Sequence, residues 1–302
     1  MSTIDLSRLP APDVIETIDY EEILEQRKAY IVSLFPEDQQ EEIAARLALE
    51  SEPLTKLAEE NAYREMLLRQ RINEACRATM LAFAVGNDLD QIGANYEVAR
   101  LLISPADPDA YPPIPAVYES DARFRARIQL SLEGITTAGS KGAYEFHALS
   151  ASAEVKDVNV GTPDPGVVRV TVLSTTGSGV PSAELLNTVN LALNDEDVRP
   201  LCDTVQVVAA EITPYTVDAT LTFYNGPDMA LVRDAAEAAV RAYVDEHHRL
   251  GHDINRSGLF AALHQVGVMN VTLASPAVDV VIEDSHAAYC TAISVIAGGF
   301  DV

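Results

Sequence analysis

The stretch PLTKLAEENAYREMLLRQRINEACRATMLAFAV, residues 53–85, decides the organisation of this chain. It opens with a proline, which is favoured at the first position of a helix, and Gly86-Asn87 follows it as a stop signal. Apolar residues recur along it at helical spacing. They are Leu57, Leu68, Ile72, Ala75, Cys76, Met80 and Phe83. The pattern predicts one helix from about Leu54 to Val85. At a rise of about 1.5 Å per residue it would be about 45 Å long, so it either packs along its length or projects toward another chain.

Shorter helical patterns flank this stretch. Asp19 and Glu22 form the D-x-x-E pattern of a capping box, and apolar residues at helical spacing follow as far as Leu34. A second helix is predicted over 37–49, and a short one from Asp88. We therefore expect residues 1–102 to form an all-helical region with one long helix.

A proline-rich segment follows at 103–118. Five prolines lie between Pro105 and Pro115, and such a composition favours extended, semi-rigid backbone. The segment is therefore predicted to be a connector and a compliant joint between domains.

Beyond the connector, strand and helix patterns alternate. We predict two small modules, 119–213 and 214–302. Helices are predicted at 120–133, 143–149, 182–193, 228–250 and 257–266, and strands at 155–160, 167–173, 205–212, 215–224, 268–273, 278–282 and 289–296. The predicted fold class is α+β: an all-helical N-terminal region followed by two α+β modules with short, mainly antiparallel sheets.

The two modules contain a weak internal repeat. Val155–Pro163 resembles Val268–Pro276, and each follows a short helix that carries a histidine. The strand, loop and helix over 170–193 likewise resemble those over 220–240. We interpret both modules as being built on related units.

The charge of the chain limits the kinds of molecule that it can bind. The 302 residues include 46 acidic and 21 basic side chains, giving a net charge of −25. Because so acidic a chain is repelled by nucleic-acid phosphate and by anionic lipid, we expect neither as a partner. The three cysteines are far apart in the sequence, which indicates reduced thiols. The start of the chain lacks the features of a signal peptide. We therefore expect the protein to be assembled in a cytoplasm.

No motif indicates catalysis. His248 and His252 are four residues apart, but Gly251 interrupts the helix and no glutamate stands in the H-E-x-x-H position. A polar helix end is the more frequent explanation for these histidines. The sequence also lacks a nucleophile elbow and a P-loop, so we predict no enzyme activity, cofactor or metal.

Arginine is concentrated in the middle of the chain. Residues 61–130 carry 9 acidic and 8 basic side chains, close to neutral in an otherwise acidic protein. These arginines either form internal Glu–Arg pairs on a solvated face or dock on acidic surface of another chain, as arginine is enriched at interfaces. The candidate interface residues are Arg64, Leu68, Arg71, Ile72, Arg77, Arg123 and Arg127.

Several runs, in order along nearly the whole chain, resemble one family. They are Leu49–Leu54, Glu60–Glu65, Arg69–Asn73, Gly86–Asp90, Tyr144–Ser152, Glu196–Leu201, Pro214–Thr220 and Ala288–Ile293. Together they resemble the baseplate J-like protein family of contractile-tailed phages. None of them is a catalytic motif.

The resemblance implies a structural role in the virion tail of a phage or a related tailocin. Proteins of this family form baseplate wedges, in which they join a second wedge protein and link neighbouring copies into a six-fold ring around the central spike. Contacts with sheath-proximal and with spike or hub proteins are also implied, as is a part in tail assembly and in triggering sheath contraction.

Two other classes remain as alternatives. The chain could be a cell-wall hydrolase of the same tail, although no carboxylate pair stands out by its spacing. A receptor-binding or spike component would need a repetitive, β-rich C-terminus, and the alanine-rich helix predicted from Asp228 argues against that class.

Overall fold

A computed structural model describes residues 4–10, 12–136, 138–226 and 228–300. The chain forms two compact units, one ending at Ala99 and the other beginning at Arg100. The first unit is helical, as predicted. Its elements are a 3₁₀ turn at Leu6–Arg8 and the helices α1 (Tyr20–Ser33), α2 (Glu37–Leu47), α3 (Pro53–Ala78) and α4 (Gly86–Ala94).

Asp19 caps α1, although the Glu22 carboxylate accepts from the Gln26 side chain (3.1 Å) instead of completing the capping box, and the long helix is shorter than predicted. The Asp19 carboxylate accepts hydrogen bonds from the backbone amides of Glu21 and Glu22. Helix α3 ends at Ala78 rather than near Val85: the backbone amides of Thr79 and Met80 donate to the carbonyl oxygens of Cys76 and Arg77, three residues back, so the α-helical pattern stops there. Turns then lead to α4, which begins at Gly86.

The second unit mixes helices and strands. Its helices are α5 (Asp121–Gly134), α6 (Lys141–Ala151), α7 (Ala183–Leu193), α8 (Met229–His247) and α9 (Arg256–Leu263). Its strands are β1 (Leu102–Ser104), β2 (Val117–Tyr118), β3 (Val155–Asp164), β4 (Val167–Ser174), β5 (Thr204–Ala209), β6 (Glu211–Phe223), β7 (Val268–Ser275) and β8 (His286–Phe300). The predicted fold class, α+β with a helical N-terminal region and small, mostly antiparallel sheets, is confirmed.

The proline-rich segment folds back on itself. Strands β1 and β2 pair antiparallel, and farther out Asp107 and Ile114 exchange two backbone hydrogen bonds of 2.9 Å. The prolines flank this pair rather than occupy it, so no ladder donor is lost. The segment therefore forms a hairpin arm, residues 102–118, instead of a simply extended chain.

The first sheet has the order β3-β4-β5. Strands β3 and β4 are antiparallel, while β4 and β5 are parallel and are connected through α7. Its core includes Val170 and Val172 of β4 together with Val189 and Leu193 of α7. Helices cover the face of the sheet that carries Val170 and Val172, because alternate residues of β4 are apolar.

The second sheet has the order β7-β6-β8. Strand β7 is antiparallel to β6, and β8 is parallel to β6 along most of its length. Helices α8 and α9 cover one face, where Leu221 and Phe223 of β6 pack with Val240 and Leu259. The opposite face of β6 presents a polar row at Thr216 and Asp218.

One predicted strand is absent and another is longer than predicted. Residues 278–282 form no strand: Val280 makes an isolated bridge with Ile254, and the Asp279 carboxylate accepts from the backbone amide of Arg256 (2.7 Å). The segment closes the start of α9 instead of extending a sheet. Strand β8 runs from His286 to Phe300, because it follows β6 beyond the predicted 289–296.

The segments of the internal repeat occupy equivalent places in the two sheets. Strands β3 and β7 are both antiparallel edge strands, and β4 and β6 are both central. Each central strand is followed by a helix, α7 or α8.

The two sheets meet through a small apolar cluster. Leu173 and Ala210 pack with Leu250 and Ala287. Beside them the Asp157 carboxylate accepts a hydrogen bond from the backbone amide of Leu250 (2.9 Å), and burial raises the pKa of Asp157. A hydrogen-bonded acid within an apolar contact fixes how the two modules join.

Candidate protein-binding site

The inner face of α3 is fixed by small residues and one buried amide. Ala58 and Ala62 are fully buried against Ile23 and Leu24 of α1. One turn from the end of α3, Asn73 donates to the carbonyl oxygen of Glu16 (2.9 Å) and accepts from its backbone amide (3.1 Å). Asn73 is not among the residues predicted from the sequence, although a polar residue on the buried side of a helix needs such a partner.

Ion pairs connect α1 with α3 beside this contact. Glu65 accepts hydrogen bonds from Arg27 (Nε, 2.8 Å) and from Arg69 (Nη2, 2.7 Å). These bonds, from Arg27 first and then Arg69, hold the pKa of Glu65 below its ordinary value. Arg69 also reaches Glu16 (3.2 Å), so one carboxylate–guanidinium network connects three segments of the helical unit.

The outer face of α3 is apolar and exposed. Leu57, Leu68 and Ile72 are 56%, 63% and 52% exposed, and their spacing places them along one stripe of the helix. Leu68 also borders an open groove of about 480 Å³ that Arg27, Glu65 and neighbouring α3 residues line. Exposed leucines are individually ordinary, but an aligned set beside a groove is typical of a surface that binds another protein.

The predicted arginines of α3 divide between two sides. Arg64 and Arg71 lie along the apolar stripe, where Arg64 pairs with Glu60 and Arg71 with Glu74 (3.7 Å). Arg77 is also exposed, but it is four residues from the buried Asn73 and so lies on the other side of the helix. The structure thus brings together Arg64, Leu68, Arg71 and Ile72.

Arg123 and Arg127 lie elsewhere and are engaged within the chain. Both pair with Glu119, whose side chain is 0% exposed, and Arg127 is nearly as buried. Arg123 also donates to the carbonyl oxygens of Ala153 and Ser152, at the end of α6. Burial lowers the pKa of both guanidinium groups, and Glu119 opposes that effect. These two arginines therefore form a buried structural network.

The hairpin arm exposes further apolar side chains. Tyr111 at its tip is fully exposed, and Ile103 and Ile114 are both more than half exposed. A two-stranded ribbon is only marginally stable alone in water, so exposed apolar residues on it are typical of a contact with another molecule.

The histidines serve structural hydrogen bonds. His248 is buried and its Nδ1 lies 2.7 Å from the carbonyl oxygen of Ala288, while His147 lies 3.3 Å from that of Gly134. Burial lowers the pKa of both.

Within the described ranges, no three His, Cys, Asp or Glu side chains are grouped as a metal site would need. None of the described helices combines the length and apolar composition needed to cross a bilayer.

Comparison with known proteins identifies the family of this chain. Residues 50–107 match the baseplate J-like N-terminal domain, 136–209 the baseplate J-like central domain, and 215–296 the baseplate J-like protein C-terminal domain. Baseplate protein J of Escherichia phage P2 is 53% identical over 301 residues, which cover the whole of both chains. The chain belongs to the baseplate J-like family. Helix α3 and the first strand of the hairpin arm fall within the N-terminal domain of this family, the first sheet falls within its central domain, and most of the second sheet falls within its C-terminal domain.

Proposed function

We propose that this protein is a structural component of the baseplate wedge of a contractile tail. It joins a second wedge protein and neighbouring copies of itself into a six-fold ring around the central spike, and it contacts sheath-proximal and hub proteins. Full-length similarity to baseplate protein J of a phage carries the coarser statement, that the chain is a structural baseplate protein of the virion tail. The wedge and ring roles are the proposal.

The outer face of α3 is the proposed site for the second wedge protein. The supporting observation is the aligned, exposed set of Leu57, Leu68 and Ile72 beside an open groove. A partner helix laid on this stripe would bury the three apolar side chains. Burial of apolar area contributes about 25 cal/mol per Å², which makes such a stripe the main source of binding energy.

Arg64 and Arg71 provide the expected specificity. They flank the stripe on a unit that is otherwise acidic, so they select a partner helix that bears carboxylates at matching positions. Arg77, on the other side of the helix, is available for a different contact of the assembled wedge.

We do not propose the cell-wall hydrolase alternative, because no observation on the described residues favours it. The role proposed here requires no cofactor. The protein would be made in the host cytoplasm and incorporated into the tail there.

The test is copurification of the tagged full chain with the second wedge protein encoded beside it. Replacing Leu68→Asp together with Ile72→Asp puts two carboxylates in the stripe, and we expect recovery of the partner to fall at least about tenfold. Circular dichroism should show an unchanged fold, because both side chains are exposed.

A matched control carries the same two charges elsewhere. Leu132 of α5 and Leu231 of α8 are also highly exposed leucines on helices, so Leu132→Asp with Leu231→Asp should leave copurification intact. If the stripe variant copurifies as well as this control, α3 is not the wedge contact.

A further inference from the structure

The two three-stranded sheets in the described part of the chain have four edges, and proteins normally protect such edges from pairing with other chains. Strand β3 carries Lys156, Asp157 and Pro163 and has two irregularities of register. Strand β5 is only six residues long. Charge, proline, bulges and short length are the usual protections, so both edges of the first sheet are guarded.

The β7 edge of the second sheet is also closed. The guanidinium of Arg256 donates to the carbonyl oxygens of Leu273 (3.3 Å) and Ala277 (2.9 Å). Pro276 follows the strand directly. A side chain on the edge and a proline at its end leave little room for an added strand.

Strand β8 is fifteen residues long, and its two irregularities of register, between Cys290 and Ala292 and between Ala297 and Phe300, leave residues 292–297 regular. No charged residue and no proline occurs between Ala287 and Phe300. The first part of the strand is covered, because Leu250 bridges to Ala287 and His248 meets the carbonyl oxygen of Ala288. From Thr291 to Ala297 no described strand pairs with β8 on the side away from β6, so this edge of the sheet is left without a neighbouring strand.

The inward-facing side chains of the open stretch of β8 pack into the core of the second sheet. Val295 is buried and Ile293 packs into the core beneath α8, whereas Ala292, Ser294 and Ile296 face outward. Gly299, with φ of +99°, and a shift of register opposite Leu221 end the regular pairing with β6. The edge is therefore preformed over residues 291–297 and stops beyond them.

We propose that Thr291–Ala297 is a strand-pairing surface for the same stretch of a second copy of this chain. The two strands run antiparallel about a two-fold axis and join the two β7-β6-β8 sheets into one continuous sheet. This inference rests on the proposed function, in which copies contact one another, and it names the surface through which two copies meet.

The charge of the chain favours a second copy at this edge. Residues 131–302 carry 22 acidic and 8 basic side chains, so two copies repel each other over most of this region. Residues 291–297 bear no charge, and like charges placed opposite each other in a sheet are destabilising. Strands β5 and β7 are uncharged as well, but β5 is short and β7 is closed by Arg256 and Pro276, so β8 is the long, open edge that can face itself without that penalty.

The side chains also fit a two-fold arrangement. With Ser294 opposite its own copy, Ala292 faces Ile296 of the second chain on the outward side, so a small residue meets a large one. This register is symmetric, as an isologous interface requires.

The association of the full chain can be measured directly by sedimentation velocity up to about 100 µM, a range that detects micromolar dimers. We expect a dimer, and we expect Ser294→Lys with Ile296→Lys to weaken it at least about tenfold. Thr272→Lys with Asn270→Lys adds the same charges to β7, the closed edge, and should leave the dimer intact. Added lysines lower the net repulsion between copies of this acidic chain. Loss of the dimer in the β8 variant alone would therefore show that the β8 edge forms the contact.

A cross-link tests the register. In a chain with Cys202→Ser, which removes the exposed natural thiol, Ser294→Cys should oxidise to a dimer whose linked peptide joins residue 294 to residue 294. Thr272→Cys is the control and should not. Amide hydrogen exchange of residues 291–297 should also slow as the concentration rises.

Three outcomes overturn the proposal. They are a chain that stays monomeric throughout the range, a dimer that survives the β8 lysines without a 294–294 link, and protection of 291–297 only when a different protein is added. Copurification of the second wedge protein, measured on the same variants, separates the two proposals. If the wild-type chain stays monomeric but still binds that protein, the edge proposal alone is refuted.

Discussion

At the scale of single residues, Glu119 organises the start of the second unit. Its fully buried carboxylate accepts hydrogen bonds from the backbone amide of Leu101 (2.9 Å) and from Arg127, and it lies 3.3 Å from Arg123. Arg123 in turn holds carbonyl oxygens at the end of α6. One acid thus connects the hairpin arm, α5 and α6.

We predict that Glu119→Gln lowers the free energy of unfolding of the second unit by about 3 kcal/mol, since removing one partner of a buried ion pair leaves the other charge uncompensated. Chemical denaturation at neutral pH measures the loss. Glu154→Gln, at an exposed carboxylate of the same unit, should change the free energy by less than about 0.5 kcal/mol. Equal losses in the two variants would mean that the network contributes no stability.

At the scale of elements, α3 has two faces with different tasks. Its inner face uses alanines, which allow α1 to approach closely, and its outer face keeps larger apolar side chains in solvent. An amphipathic helix usually buries its large apolar residues, and this reversal is the basis for proposing that the outer face binds another chain.

We predict that Ala62→Leu destabilises the helical unit by about 2 kcal/mol, because the added side chain has no space between α1 and α3. Leu68→Ala on the outer face should change the unfolding free energy by less than about 0.5 kcal/mol. Thermal unfolding followed by circular dichroism distinguishes the two. A large loss from Leu68→Ala would show that the stripe supports the isolated fold.

At the scale of the whole molecule, the protein exposes apolar surface at separate places despite its net charge of −25. We expect mutual repulsion between acidic copies to oppose nonspecific association, and specific apolar contacts to overcome that repulsion when the proposed partners bind. The hairpin arm, with Tyr111 at its tip, is one such place.

We predict that replacing residues 105–116 by Asn-Gly, a sequence that favours a two-residue hairpin turn, leaves the stability of both units within about 1 kcal/mol of the wild type. The same change should impair tail assembly, scored by electron microscopy of particles from a strain that supplies only the variant. Tyr111→Ser should reproduce much of the defect, whereas Tyr111→Phe, which keeps the ring, should not. Normal tails from the shortened chain would exclude a role for the arm.

The sequence by itself determined the helical region, the α+β modules and the family. Periodicity, caps and turn residues are local, so they identified α1, α3 and most strands, and the charge balance indicated an acidic protein with a near-neutral middle. Local pattern could not place the end of α3 at Ala78, because the apolar pattern continues to Val85 although the backbone hydrogen bonds change to three-residue spacing at Thr79.

Only the tertiary structure decided which candidate residues share a surface. Arg64, Leu68, Arg71 and Ile72 lie together, whereas Arg123 and Arg127 are enclosed around Glu119. It also decided that β8 is an open edge, since strand order depends on contacts between residues far apart in the chain. Composition records which side chains are present, but burial and pairing depend on the packing of distant segments, and that packing sets which of them remain free to bind.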